Sequence, residues 1–137
     1  MIEAMGRKSK KTFGTADNDV LTGTKKKDRI RGYGGDDRIE SGEGKDKVWV
    51  GEGNDTVVTV DGGRGYVTIM DFRKGDNVIE FCGCASTRLV QQGRNVKIIK
   101  GDDIKAVVRG VKTSELEMDF VNREITLITE PAPDVLA

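Results

Sequence analysis

The chain has 137 residues, including 18 glycines and one tryptophan, with 23 basic and 23 acidic residues and no histidine. At this length it forms one domain, and its 5% aromatic content leaves a layered core little to bury, which favours a repetitive or ligand-stabilised architecture. The lack of histidine removes the commonest zinc ligand and the usual general base. Zero net charge argues against nucleic-acid binding, and no apolar run approaches the roughly 20 residues of a membrane span.

The first twelve residues are basic but carry no apolar stretch. Arg7, Lys8, Lys10 and Lys11 are followed by polar residues, whereas a secretory signal peptide needs an apolar segment of about 7–15 residues. We predict that residues 1–12 form a flexible basic tail and not a cleaved leader.

A nine-residue repeat follows, with an aspartate in each unit and an aliphatic residue two positions later. The aspartates are Asp19, Asp28, Asp37, Asp46 and Asp55, and the aliphatic residues are Leu21, Ile30, Ile39, Val48 and Val57. A unit this short excludes a helical repeat and fits a tight glycine turn followed by a three-residue strand whose central residue points inward. Two units then make one coil, so that odd units stack in one sheet and even units in another. Simple turn capping by aspartate is the alternative, which five units in register disfavour.

Stacking would place the aspartates in two columns with a spacing of about 5 Å. Asp19, Asp37 and Asp55 form the odd column, and Asp28 and Asp46 form the even column. A hard divalent cation between coils converts the repulsion of these carboxylates into cross-linking, and oxygen ligands with flexible geometry suit calcium better than magnesium. The candidate backbone carbonyl ligands are those of Gly14, Gly32, Gly34, Gly35, Gly42, Gly44, Gly51 and Gly53.

The even turns also contain lysines, which the odd turns lack. They are Lys25, Lys26, Lys27 and Lys45. An ammonium group near a calcium ion adds like-charge repulsion of roughly a few kcal/mol. We therefore predict that the odd column is the stronger metal site and the even column the weaker.

The units resemble the G-G-x-G-x-D-x-U-x nonapeptide of RTX (repeats-in-toxin) proteins. Residues 69–79 resemble the I-x-D-F-x-x-G-x-D-x-I segment that closes many such rolls, and residues 101–120 resemble the C-terminal cap of serralysin-type members. The resemblance implies an all-β protein: a right-handed parallel β-roll over residues 13–70, stapled by Ca²⁺, a β-rich cap with one short helix over 71–130, and a tail over 131–137. It also implies a secreted, extracellular protein that leaves through type I export machinery. Units one and two carry Asp17 and Lys26 where the fourth-position glycine belongs, and the sixth carries Val67 in place of aspartate.

The outward positions of the even strands are basic and include the only tryptophan. Arg29, Arg31, Lys47 and Trp49 form a strip that would suit a polyanion such as an acidic polysaccharide. The alternative is a solvated face with Trp49 covered by the C-terminal segment. An enzyme is the competing class of function, but without histidine the repeats offer only carboxylates suited to calcium, so we predict a non-enzymatic protein.

After the repeats, longer alternating segments predict antiparallel strands at 78–81, 88–90, 95–99, 104–108 and 124–128. Ser114 and Glu117 have the spacing of a capping box for a short helix ending near Phe120. Cys82 and Cys84 lack the partners of a zinc site and the spacing of a thioredoxin-like motif. They are interpreted as small core residues or reducible thiols.

Overall fold

The computed structural model describes residues 10–59, 65–75 and 77–128. These residues form two sheets, with 3₁₀ turns at Phe72–Lys74 and Thr113–Glu115. No helix in this part of the chain is long and apolar enough to cross a membrane. The strands are β1 (Lys10–Phe13), β2 (Val20–Thr22), β3 (Asp28–Arg31), β4 (Arg38–Glu40), β5 (Gly44–Trp49), β6 (Thr56–Val58), β7 (Gly65–Ile69), β8 (Val78–Glu80), β9 (Thr87–Gln92), β10 (Asn95–Lys100), β11 (Asp103–Arg109), β12 (Leu116–Asp119) and β13 (Glu124–Leu127).

The repeats form a parallel β-roll in which alternate units share a sheet, as the sequence predicts. The odd sheet has the order β12-β13-β8-β6-β4-β2, and the even sheet has the order β1-β3-β5-β7-β11-β10-β9. The register pairs Leu21 with Ile39 and Ile39 with Val57. Each coil is therefore eighteen residues long, and equivalent residues stack directly on one another.

The core is a narrow ladder of the aliphatic residue at the centre of each short strand. Ile30, Ile39, Val48 and Val57 are fully buried, and Leu21 in the first coil is 8% exposed. The cap continues the ladder, because Ile125 pairs with Ile79 in the odd sheet and Val108 pairs with Ile69 in the even sheet.

The fourth-position glycines let successive turns stack in direct contact. Gly53 has φ +99°, and a Cβ there would lie 2.2 Å from the carbonyl oxygen of Gly35 in the preceding coil. Gly35 and Gly44 face the backbone of Asp17 and Lys26 in the same way. Asp17 and Lys26 occupy the fourth position in the first coil, and neither takes a left-handed φ. A residue with a side chain is therefore tolerated at this position in the first coil.

The roll extends beyond the expected boundaries on both sides. Strand β1 pairs in parallel with β3, with Lys10 opposite Asp28, so ordered structure begins inside the segment expected to be a tail. Strand β8 pairs in parallel with β6, with Ile79 opposite Val57, so another odd turn follows residue 70. Predictions for residues 1–9 and 131–137 lie outside the described residues.

The cap contains the strands expected after the repeats. Strands β9, β10 and β11 form an antiparallel meander that extends the even sheet, and β13 pairs antiparallel with β8 and β12 to extend the odd sheet. The meander joins the roll through a parallel pairing of β11 with β7, which the antiparallel expectation did not include.

The predicted helix ending near Phe120 is wrong. In this segment the helical residues are limited to a single 3₁₀ turn, Thr113–Glu115. The turn is closed by a hydrogen bond from the Lys112 backbone N–H to the Glu115 carboxylate (2.8 Å). Leu116–Asp119 is strand β12, since Leu116 is buried and pairs across the sheet with Leu127. Cross-strand pairing and burial outweigh the local capping pattern of Ser114 and Glu117.

The two cysteines, interpreted from the sequence as small core residues or reducible thiols, are bonded to each other. Cys82 and Cys84 form a disulfide, with Gly83 between them at φ +73°. Both lie in the loop between β8 and β9, and Cys82 packs against the core.

Candidate metal centre

The aspartates of successive coils are held in place by the backbone of the coil before. Oδ1 of Asp37 accepts a hydrogen bond from the N–H of Asp19 (2.8 Å), and Oδ1 of Asp55 accepts one from the N–H of Asp37 (2.7 Å). In the even column, Oδ1 of Asp46 accepts one from the N–H of Asp28 (2.7 Å). The structure thus brings the five predicted aspartates together as two columns.

Three of these carboxylates are buried with one oxygen unsatisfied. Asp37, Asp46 and Asp55 are 1–2% exposed, and Oδ2 of each has no hydrogen-bond partner. A buried charged oxygen without a donor is costly, about 1–3 kcal/mol or more for each group. A cation is the partner that such an arrangement lacks.

A carbonyl oxygen from the next coil faces the same open space as a carboxylate oxygen. A Cβ on Gly32 would lie 2.6 Å from Oδ2 of Asp37 and 2.7 Å from the carbonyl oxygen of Val50. Beside Gly23, Oδ2 of Asp28 and the Ser41 carbonyl oxygen also approach each other, but there the N–H of Thr24 already donates to that carboxylate oxygen. Two acceptors with no donor between them suit a cation, and an all-oxygen set of carboxylate and carbonyl suits calcium. The residues therefore fit this metal.

Burial raises the pKa values of three of the aspartate carboxyl groups. Burial raises the pKa of Asp46 to about 7, and the neighbouring Asp28 carboxylate adds to the rise. Burial likewise raises the pKa of Asp55 to about 7, with a smaller contribution from Asp37. The pKa of Asp37 is raised for the same first reason. Without a cation, these groups favour a proton.

The first aspartate of each column has hydrogen-bond donors that the later aspartates lack. Oδ2 of Asp19 accepts the backbone N–H of Thr15 (2.7 Å), and the Thr15 hydroxyl also contacts the carboxylate. Oδ2 of Asp28 accepts the N–H of Thr24 (2.7 Å), again with the hydroxyl nearby. Asp19 and Asp28 therefore have local donors for the oxygen that is unsatisfied in later coils.

The odd column has a further member that the sequence prediction missed. Oδ1 of Asn77 accepts the N–H of Asp55 (2.8 Å), as an aspartate of the next coil would. The sequence does contain the pattern: Gly75 lies two residues before Asn77 and Ile79 two residues after it, as a glycine and an aliphatic residue do around Asp55. An insertion in the preceding residues obscures the nine-residue spacing.

The even column ends where Val67 replaces the aspartate. Here β5 lengthens to Gly44–Trp49, and Asp46 pairs with Val67 in a regular parallel ladder. The lysines of the even turns are exposed. Within the described residues, no three or more His, Cys, Asp or Glu side chains converge as a metal-binding group. A cation in either column would depend on backbone carbonyls as well as carboxylates.

The outward basic residues of the even sheet are also brought together. The register places Arg29 beside Lys47 and Arg31 beside Trp49, and Cζ of Arg31 lies 4.2 Å from the Trp49 ring centroid. A neighbouring cleft of ≈ 350 Å³ has a mixed basic, polar and acidic lining: Lys27, Asp28, Arg29, Lys45, Asp46, Lys47, Tyr66 and Thr68.

Comparison with known protein families matches residues 13–48, 23–57 and 38–69 to the RTX calcium-binding nonapeptide repeat. Among solved structures, the chain is similar to the extracellular lipase LipA of Serratia marcescens, at 16% identity and a TM-score of 0.44 over 87% of this chain and 17% of the lipase. It is also similar to a subunit of the Azotobacter vinelandii mannuronan C5-epimerase, at 21% identity and a TM-score of 0.42 over 71% of this chain and 73% of that subunit. Neither likeness bears on activity. Curated proteins give no match.

Proposed function

Because residues 13–69 are RTX calcium-binding nonapeptide repeats wound into a parallel β-roll, we propose that the chain is a calcium-binding module whose roll folds as Ca²⁺ binds between coils. The observation that carries the proposal is the set of unsatisfied, buried Oδ2 atoms of Asp37, Asp46 and Asp55. A doubly charged cation supplies the positive charge that these oxygens lack.

The metal would be held by carboxylates together with turn carbonyls. The best supported position lies between the third and fifth units, where Oδ2 of Asp37 and the Val50 carbonyl flank Gly32. Asp55 would hold metal in the same odd column, and Asp46 in the even column. The remaining glycine carbonyls of the turns are candidate ligands by their place in the repeat. Calcium is favoured over magnesium because it accepts six to eight oxygens in flexible geometry.

Calcium would supply a large share of the stability of the roll. Each site adds RT ln(1 + [Ca²⁺]/Kd) to the free energy of unfolding. With a Kd of roughly 0.1–1 mM, as in extracellular modules, 2 mM calcium contributes about 0.6–1.8 kcal/mol per site. Three sites together contribute about 2–5 kcal/mol, a large share of the total stability of a marginal domain, which is about 5 kcal/mol.

Circular dichroism with and without about 2 mM calcium tests the proposal, with magnesium as the matched control. We expect a cooperative gain of β structure with calcium and little change with magnesium. Isothermal titration calorimetry should show heat of binding over the same range of calcium concentration. A spectrum that does not respond to calcium, together with no heat of binding, would refute the proposed function.

The proposal extends to where the protein acts. Sites of this affinity fill outside the cell and stay empty in the cytosol, so the chain would remain unfolded until export through type I machinery and then fold outside. The sequence resemblance supports this step. A tagged chain should reach the culture medium only when the exporter is present, and accumulation inside the cell in both cases would contradict it.

A second candidate function is binding of an acidic polysaccharide by Arg29, Arg31, Lys47 and Trp49. The observation that favours it is the stacking of Arg31 on Trp49, since a guanidinium held over an aromatic face offers a planar donor array to carboxylates. Arg29 and Lys47 extend the same exposed face. Such a surface would be formed only in the folded, calcium-bound roll.

Affinity electrophoresis in calcium, with a polyuronate and with neutral dextran, tests this second function. The paired substitutions Arg29→Ala and Lys47→Ala should weaken retardation by the polyuronate several-fold. Arg94→Ala, an exposed arginine in the cap, is the matched control and should leave it unchanged. Equal retardation of all variants would exclude this face as the binding surface.

A further inference from the structure

We infer that side chains replace the metal at the start of both aspartate columns and at the end of the odd column, so that calcium is confined to Asp37, Asp46 and Asp55. Thr15 and Thr24 donate hydrogen bonds to the first aspartate of each column, and Asn77 takes the place of an aspartate at the end of the odd column. The inference rests on the proposed function and specifies which aspartates serve it.

At the start of each column, threonine supplies the donors. The N–H and hydroxyl of Thr15 satisfy Asp19, and those of Thr24 satisfy Asp28. Each hydroxyl also accepts a backbone N–H two residues on, from Asp17 (3.0 Å) and Lys26 (3.1 Å), which fixes the turn. The oxygens of these aspartates thus have hydrogen-bond donors within their own turns, and no orphaned oxygen is left for a cation.

The middle turns lack this device. Their second residues are Tyr33, Gly42 and Gly51, which take left-handed φ values of 67°, 79° and 79°, unlike the threonines. In these turns Oδ2 of the aspartate receives no N–H from the second residue, and a hydroxyl group, that of Ser41, acts only on the Asp46 carboxylate, where it offsets part of the rise in pKa that burial causes. Turns with threonine as the second residue therefore have an aspartate whose oxygens are satisfied. Turns with tyrosine or glycine there have an aspartate with an unsatisfied oxygen.

At the end of the odd column, an amide replaces the carboxylate. Asn77 is 2% exposed, and while its Oδ1 continues the ladder, its Nδ2 donates to the carbonyl oxygen of Phe72 (2.8 Å). Phe72 holds the first position of its turn, as Gly32 does in the turn of Asp37. The amide protons thus satisfy a first-position carbonyl oxygen without metal.

Asn77 shows that this turn accepts asparagine, which suggests isosteric tests at the equivalent positions. Asp46→Asn should remove one calcium site and place an amide donor where the unsatisfied oxygen was. Its calcium-free form should melt at a higher temperature than the calcium-free parent chain. Asp28→Asn, in the same column, should leave the calcium stoichiometry unchanged because Thr24 already satisfies Asp28.

Calorimetric titration of the full chain with calcium, combined with thermal unfolding in calcium-free buffer that contains sucrose to populate the folded roll, tests the inference. We expect three calcium ions per parent chain, two for Asp46→Asn and three for Asp28→Asn, following the three unsatisfied oxygens. Loss of one ion in both variants, or in neither, would overturn the inference. So would an Asp46→Asn chain that fails to fold at any calcium concentration. A parent chain that binds no calcium would instead defeat the proposed function itself.

Discussion

The calcium-free chain should lose stability as the pH rises from about 5 to 7, the reverse of ordinary acid denaturation. Burial raises the pKa of Asp46 and of Asp55 to about 7 in the folded state, against an ordinary value of 3.8 for an exposed aspartate. Between these values the folded chain holds protons that the unfolded chain has released, so the free energy of unfolding decreases with pH. The stabilisation is fully present below pH 3.8 and is lost as the pH passes 7.

The size of this effect follows from the linkage slope. One group that is protonated only when folded contributes about 1.4 kcal/mol per pH unit. Two such groups, one in each column, give about 2–3 kcal/mol between pH 5 and 6. That is a large fraction of the stability of a small domain, which is about 5–15 kcal/mol.

Urea unfolding in calcium-free buffer at pH 5, 6, 7 and 8, with sucrose added to populate the folded roll in the absence of metal, measures the slope. The double variant Asp46→Asn, Asp55→Asn should show a much smaller slope over this range, with the remainder due to Asp37, whose pKa burial also raises. Glu117→Gln, an exposed carboxylate in the cap, should keep the parent slope. Saturating calcium should reverse the trend, because metal binding requires the deprotonated carboxylate. Calcium-free stability that rises from pH 5 to 7, or a double variant with the parent slope, would refute this reasoning.

Three further substitutions test the roll. Gly53→Ala should cost at least 3 kcal/mol, because its Cβ would meet the Gly35 carbonyl at 2.2 Å. The matched control Gly93→Ala, with φ +61° and open space around it, should cost only about 1–2 kcal/mol by urea unfolding. Ile39→Ala, in the fully buried ladder, should cost about 2–5 kcal/mol in calcium, and a loss below 1 kcal/mol would contradict the packing described. Arg38→Ala should cost less than about 1 kcal/mol despite its ion pairs with Glu40 and Glu80, since these side chains are 37–45% exposed; a larger loss that persists in high salt would be unexpected.

The roll was predictable because every unit repeats the same local chemistry. An aspartate and an aliphatic residue at fixed offsets determine the turn, the inward residue and the register together, so the pairing of Leu21 with Ile39 follows from spacing alone. The two columns of aspartates follow from the same spacing. Prediction succeeded where local preference and long-range stacking agree.

The parts that escaped prediction depend on strand pairing and turn geometry that residue patterns alone do not reveal. Strand β12 replaces the expected helix because β13, which follows it across a short turn, offers it a partner. Asn77 was missed because an insertion shifts its spacing. The hydrogen bonds of Thr15 and Thr24 to the aspartates depend on turn geometry that a single residue type does not reveal.

The eighteen-residue coil also governs how such a chain can change in length. Adding one whole coil would return every later residue to its original sheet and would leave the basic outer face intact. Adding a single nine-residue unit would send each later unit to the opposite sheet, so the outer faces would exchange while the inward ladder survived. Although the spacing from Asp46 to Val67 and from Asp55 to Asn77 exceeds one eighteen-residue coil, β5 still pairs with β7 and β6 with β8, so both columns keep their sheets. Duplication in steps of two units is therefore the route that lengthens this protein without altering the surfaces it presents.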